Sequence, residues 1–458
     1  MRVVERCGEF VEAMRTAQLA PEVLHHAKRA VIDWVAAALP GAVVPPAIAL
    51  EAALAEELDH GAARLVLGRP ATVRAAALIN GTAAHTVEVD DIFRDGIYHP
   101  GAPTIAAALA LAQAGNLNGI AFLRAVIAGY EISTRIARAM GRAHYRFWHN
   151  TGTIGAFGAA AAGASALGLD RVRTAHALAT VTTFAAGLQQ AFRGDSMSKP
   201  LHAGRAAEAG VTAALAAREG VTGAFDVIDG QAGFGRAMGD GPDWDAAFAT
   251  LGTDYNIARM TFKNHACCGH TFAAIDGALA ARSALGATAE DVARVRIGSY
   301  RAATDVSGIE DPHTPAEARF SIKYVVAHAL RHGSVRLAAF APAPLADPAT
   351  RALMCRIEVS IDPELDAAFP GQRAARVTLE TRDGRSHALL QPARKGDPEL
   401  PLDDRELEAK YLELAAPVIG DAPARSLLER LRRLERQPEV TLVPAPAAVA
   451  AARGPAAA

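Results

Sequence analysis

Apolar residues recur at helical spacing through the first two thirds of the chain and alternate with polar ones after it. Pro21 opens the clearest case. Leu24, Ala27, Val31, Trp34 and Val35 fall on one face, and the spacing predicts a helix that ends before Pro40. Further apolar segments predict helices over Ala75–Val87, Thr104–Gln113, Phe122–Met140, Trp148–Leu167, Arg171–Thr183 and Pro200–Arg218. Their Ala and Gly content suits helices that approach closely in a compact bundle. After about Arg282 the period changes to two. Val295 and Ile297 set against Arg294 and Arg296 predict a half-buried strand over Val292–Arg301. Cys355–Ile361 alternates again, and Arg376–Leu390 predicts a hairpin turning at Asp383–Gly384. A helix over Ser321–Leu330 lies between these strands, and Arg405–Leu414 and Pro423–Leu434 return to helical pattern. The expectation is a mainly α protein. A large all-helical domain spans residues 1–265, completed by 400–440, and a smaller α+β domain spans 266–399. The Pro/Ala-rich stretch 444–458 has little to bury and is expected to be a disordered tail.

Composition removes several classes. The 458 residues carry a net charge of −2 with 51% hydrophobic and 5% aromatic residues, so no basic patch argues for nucleic acid or an anionic membrane. The N-terminus shows no signal-peptide pattern, and no uninterrupted apolar run reaches membrane-spanning length. The four cysteines (Cys7, Cys267, Cys268, Cys355) lack zinc-type spacing and make a poor disulfide framework. A reduced, cytoplasmic protein is expected.

Chemistry concentrates in four clusters. Asn80–Pro103, NGTAAHTVEVDDIFRDGIYHPGAP, packs His85, Glu88, Asp90, Asp91, Asp95 and His99 between two apolar helices. Carboxylates and imidazoles drawn inward there need partners. Ala143–Gly155 places Tyr145 and His149 at i, i+4, with Gly and Thr residues that suggest a loop-to-helix junction. Backbone N–H groups at such a junction can hold an anion. Ser198–Arg205, SKPLHAGR, sets Lys199 at a helix N-terminus, where a cation is unfavourable unless an anion joins it. Thr261–Phe272, TFKNHACCGHTF, gathers Lys263, His265, Cys268 and His270 just before the helical pattern gives way to strands, and domain junctions favour small-molecule clefts. Each of these residues alone is more often structural: Cys267 and Cys268 as small core residues, His265 as a satisfied buried imidazole, Lys199 as a solvated cation. Together at a domain boundary they argue for a site. Gly233–Gly239 has the wrong glycine spacing for a nucleotide loop and is expected to be a turn.

The same residues carry a resemblance. NGTAAHTVEVDD…HPGAPT, WHNTGTIGAFGAAAA, SKPLHAGRAAEAG, KNHACCGHTFAAID and FSIKYVVAHAL resemble, in order, the motifs of the MmgE/PrpD family, from about Leu24 to Leu414. That family includes 2-methylcitrate dehydratases, cis-aconitate decarboxylases and iminodisuccinate epimerases. The resemblance implies a helical domain with an α+β lid, a homodimer, and no metal or organic cofactor. It also implies removal of a proton beside a carboxylate of a small polycarboxylate. Asp91, His99, His149, Lys199 and Lys263 match polar positions of the family's cleft, and Tyr324 lies in a motif that approaches it. A His is expected at the position of Cys268 in the decarboxylases, and the longer inserts of the dehydratases are missing. The motifs around Tyr145 and Lys263 look most like iminodisuccinate epimerase. The expected catalytic set is therefore Lys263, Tyr145, His149, Asp91 and His99, with Lys199, Arg205, His265, Cys268, His270 and Tyr324 holding substrate. Lys263 and Tyr145 form the acid–base pair in this reading. Each has a reference pKa of about 10, so neighbouring cations must lower one of them. A hydro-lyase of the 2-methylcitrate dehydratase type is the alternative within the family. Outside it stand a metal-dependent hydrolase using His85, Asp90, Asp91 and His99, and a non-catalytic helical scaffold.

Overall fold

A computed structural model describes residues 1–194 and 196–442; the Pro/Ala-rich stretch 444–458 lies outside the described residues. The protein is mainly α with a smaller α+β part. At the centre of the helical part lies Asn150–Ala166, buried over nearly its whole length. Around it pack Gly101–Ala114, Gly119–Tyr145 and Ser198–Arg218, and Val73–Thr86 packs on the last of these. Small residues make this possible. A Cβ at Gly210 would lie 2.4 Å from the Ala159 Cβ and 2.5 Å from backbone atoms of Ala159 and Ala160, so two helix backbones touch there. Gly210→Ala forces them apart and is expected to cost about 1–3 kcal/mol, read as a lower denaturation midpoint.

The helix predicted to stop before Pro40 runs Pro21–Gly41, with Pro40 in its last turn. Among the elements that escaped the pattern are the helix Val3–Met14, which packs on Arg171–Thr182, a hairpin of Leu58–Arg64 with Pro70–Ala71, and the helix Phe272–Leu285; the stretch expected to turn at Gly233–Gly239 holds a short helix, Phe234–Met238.

The α+β part holds a four-stranded sheet in the order Ile357–Ile361, Val292–Ser299, Ala375–Thr381, Ser386–Gln391. The first pair is parallel and the other two are antiparallel, with Gly384 at φ 88° in the predicted turn. Phe272–Leu285 packs on the last two strands of that order, and Ile322–His332 packs on that helix. The chain then returns: Asp404–Ile419 packs on Pro21–Gly41, where Lys410 Nζ donates to Asp33 Oδ1 at 2.5 Å and to the Val89 carbonyl at 2.7 Å. No helix among the described residues is long and apolar enough to cross a membrane.

Candidate active site

Two loops from distant parts of the sequence are sewn together by backbone hydrogen bonds. Ile92 and Thr261 exchange N–H···O bonds of 2.9 and 2.8 Å, which lays the acidic cluster after Val73–Thr86 against the Lys263–His270 loop. A third segment joins them where His149 N donates to the Gly187 carbonyl and caps the start of Asn150–Ala166. Between these loops and the α+β part lies a cavity of about 40 Å³, lined among others by Glu88, His99, Tyr145, His149, Lys199, Lys263, Cys268, His270 and Arg373. That is room for about three waters.

Glu88 is the hub. It sits just past the helix end with φ 60°, a left-handed conformation that costs about 1 kcal/mol for a residue with a side chain. One carboxylate oxygen is paired with Lys199, the other lies 3.2 Å from Lys263 Nζ, and Lys263 also donates to the Glu88 carbonyl at 3.0 Å. Lys199 thus has the anion that its place at a helix start requires. Burial alone would raise the Glu88 carboxyl, but Lys199 and Lys263 hold it well below the usual carboxylate range.

The expectation that neighbouring cations depress Lys263 is not met. Burial does push the amine down, but Glu88 and Asp90, the latter 3.9 Å away, outweigh it and raise Lys263 above the ordinary lysine value. The sequence spacing had set Lys263 beside histidines, whereas the fold sets it between two carboxylates. At neutral pH it is an ammonium.

The imidazoles behave oppositely. Asp90 Oδ2 lies 2.7 Å from His85 Nδ1 and 3.2 Å from His99 Nδ1. Burial pushes His99 down to about 4 despite Asp90. His149, stacked on His85 and 3.0 Å from His202 through the Nδ1 atoms, is held well below its ordinary value by burial and by His85. His270, bonded to the Tyr300 hydroxyl at 2.9 Å, is lowered by burial and Arg373. Tyr145 ends the helix Gly119–Tyr145 beyond a break at Gly141, and burial raises its phenol to about 12. The i, i+4 pair Tyr145 and His149 therefore meets in the cavity from two separate elements. The cavity combines neutral imidazoles, a protonated phenol and fixed cations.

Four expected residues lie elsewhere. Asp91 is buried behind the cavity wall, accepting from Tyr130 at 2.8 Å and from Gly101 N at 3.0 Å; burial and Asp33 raise its carboxyl to about 8. His265 pairs with Asp276 at 2.9 Å, and Tyr324 donates to the Ala339 carbonyl inside the α+β part. Arg205 bonds Glu208 at 2.7 Å and lines an outer groove with His202. Two charged residues of the cavity were missed. Glu88 was visible in the acidic cluster but carried no separate signal, and Arg373 stands alone in a loop with no motif around it.

Of the proposed metal set, His85, Asp90 and His99 offer ligand atoms within 4.8 Å of one another. Asp91 points away to Tyr130, and the Lys263 ammonium beside Asp90 competes with any cation there.

A buried cavity of this make-up suits acid–base chemistry, and comparison with known proteins gives the lineage. Models of the MmgE/PrpD N-terminal and C-terminal domains match residues 5–247 and 265–436, and the chain belongs to the MmgE/PrpD family. It is similar to the cis-aconitate decarboxylase-like protein oryM of Aspergillus oryzae, 28% identical over 94% of this chain and 92% of that protein. It is also similar to the cis-aconitate decarboxylases of Homo sapiens (24% identical; 94% and 92% covered) and Aspergillus terreus (25%; 93% and 92%). The protein is an enzyme, a lyase or a relative of one.

Proposed function

We propose that the enzyme removes a proton from a carbon next to a carboxylate of a small di- or tricarboxylate and returns a proton to it. The observation that carries this reading is the division of charge in the cavity. His99 is neutral with Asp90 against its Nδ1, which suits it to accept a proton through Nε2. Tyr145 keeps its proton and suits the donor role. Lys263 stays cationic and, beside Lys199, stabilises the enolate-like charge that develops between these steps. The earlier pairing of Lys263 with Tyr145 becomes His99 with Tyr145, and Lys263 moves from base to electrostatic stabiliser. The groups come from separate elements, the loop before Gly101–Ala114 and the end of Gly119–Tyr145, as an epimerase needs if it serves two faces of one carbon.

Epimerisation of the iminodisuccinate type is the finer reading. Decarboxylation is the second, favoured by the activity named for the similar proteins. Incubation with each of iminodisuccinate, 2-methylcitrate and cis-aconitate decides: an inverted stereocentre supports the first, released carbon dioxide the second, and an alkene the dehydratase type. A tricarboxylate exceeds the cavity, so its walls part on binding, in keeping with an α+β lid. A homodimer belongs to the same reading. Phe147 and Leu188, both exposed on the two segments that the Trp148–Leu188 bridge joins, support a covered face.

A neutral base gives a pH prediction. The imidazole must be unprotonated to act, and its folded value is about 4, so the acid limb of kcat/KM is expected nearer pH 4 than pH 6.5. A limb at pH 6.5 that persists in His99→Asn would remove His99 from the base role.

A further inference from the structure

Four arginines are buried among the described residues, Arg29, Arg135, Arg373 and Arg394. Three of them have a carboxylate. Arg29 pairs with Asp404, Arg135 with Glu131, and Arg394 with Asp397 through both its Nε and Nη2. Arg373 is the exception: 3% exposed, it makes no ion pair among the described residues. Its Nη2 donates to the Arg94 carbonyl at 2.9 Å, its guanidinium lies 5.5 Å from the centre of the Phe369 ring, and its Nε has no hydrogen-bond partner. Its neighbours offer little compensation, with Asp397 acting on it only at a distance. Arg394 is committed to Asp397, and burial together with Arg394 lowers Arg373 to about 10. At neutral pH it therefore remains a cation taken out of water without a counter-ion, a costly arrangement in a folded chain.

Arg373 lines the same cavity as Lys199 and Lys263, and the contrast between them is informative. The two lysines share Glu88, so the free protein already compensates much of their charge. The guanidinium comes from the loop before Ala375–Thr381, and Phe369, stacked on Tyr300 at 4.5 Å, backs it. This wall belongs to the α+β part, whereas Glu88, His99 and His149 belong to the helical part.

We infer that Arg373 is a receptor for a second carboxylate, holding the end of the substrate away from the reacting carbon and selecting diacids over monoacids. The inference rests on the proposed α-proton chemistry at the lysine and imidazole side of the cavity. A planar fork with an unused N–H suits a carboxylate, and burial strengthens the bond that forms. Because Arg373 also grips the Arg94 carbonyl, an acid bound there touches a side chain that already spans the two parts of the molecule.

The test needs binding only, so it does not depend on which reaction is catalysed. Succinate and succinamate have the same length, but one carboxylate of the first is a carboxamide in the second. Calorimetric titration of the full-length protein is expected to favour succinate by about 50-fold, the worth of one charge-assisted bond. Arg373→Gln is expected to erase that preference by weakening succinate, and Arg373→Lys to restore part of it. The ligand-free Arg373→Gln protein is expected to melt at the same temperature as wild type or higher, because an uncompensated buried charge has been removed; a lost structural role would lower it. An undiminished preference for succinate in Arg373→Gln overturns the inference while leaving the α-proton reading intact. Failure of the wild-type protein to bind either acid overturns both.

Discussion

Lys263→Met is expected to lower turnover about 10³-fold, because it removes the cation that faces charge developing on the substrate. The same change leaves Glu88 with one ammonium instead of two and Asp90 without its nearest one. Removing one partner of a buried ion pair costs about 3–5 kcal/mol, so the denaturation midpoint should fall as well. Lys263→Arg separates the two effects. It keeps the charge but moves it on a planar group, so stability should recover more than activity does. Turnover within threefold of wild type in Lys263→Met, measured on a substrate identified by the product assay, would remove Lys263 from the chemistry.

Glu88→Gln is the second large effect, and it works through the lysines. With the carboxylate gone, Lys199 and Lys263 lose their shared anion, and Lys263 is easier to deprotonate. The sign follows from the wild-type arrangement. Glu88 is depressed by its lysines, so its contribution to stability is present above the ordinary carboxylate range and is lost as pH falls through its folded value. Lys263 is raised, so its contribution is complete below the ordinary lysine value and is lost as pH rises through its higher folded value. Wild type should therefore hold this ion pair from about pH 5 to pH 10. Glu88→Gln is expected to lose about 10²-fold in kcat at neutral pH, with a steeper fall at alkaline pH as Lys263, no longer raised by Glu88, neutralises. A variant with wild-type activity and an unchanged alkaline limb would mean that Glu88 does not govern the lysines.

Much of this was legible in the sequence because periodicity and local chemistry agreed. The helices on either side of the acidic cluster, the strands of the sheet and the Asp383–Gly384 turn follow from apolar spacing and turn residues. So does the prominence of His99, His149, Lys199 and Lys263, since four charged or imidazole-bearing loops in an Ala-rich chain have to meet. What could not be read is who faces whom. Whether Lys263 is raised or lowered depends on Glu88 and Asp90, which are 175 and 173 positions away in sequence and become neighbours only through the Ile92–Thr261 bridge. Asp91 and Asp90 are adjacent in sequence but face opposite ways, one to Tyr130 and the other to two imidazoles. Arg373 had no local signal. Its place in the cavity is a tertiary fact, visible only as a buried guanidinium lacking the carboxylate that its buried counterparts possess. Pro40 shows the weaker side of local rules, since a proline in a final turn can be carried within the helix that packing favours.

The central claim is proton transfer at a carbon beside a carboxylate, with the protein's own side chains as acid and base. Proton NMR in heavy water, with iminodisuccinate, 2-methylcitrate and cis-aconitate in separate samples and a chelator present, tests it most directly. Deuterium is expected to enter next to a carboxylate of at least one of these acids, and His99→Asn is expected to abolish the exchange. An acid that binds tightly while every such proton stays unexchanged, in all three samples, would contradict it.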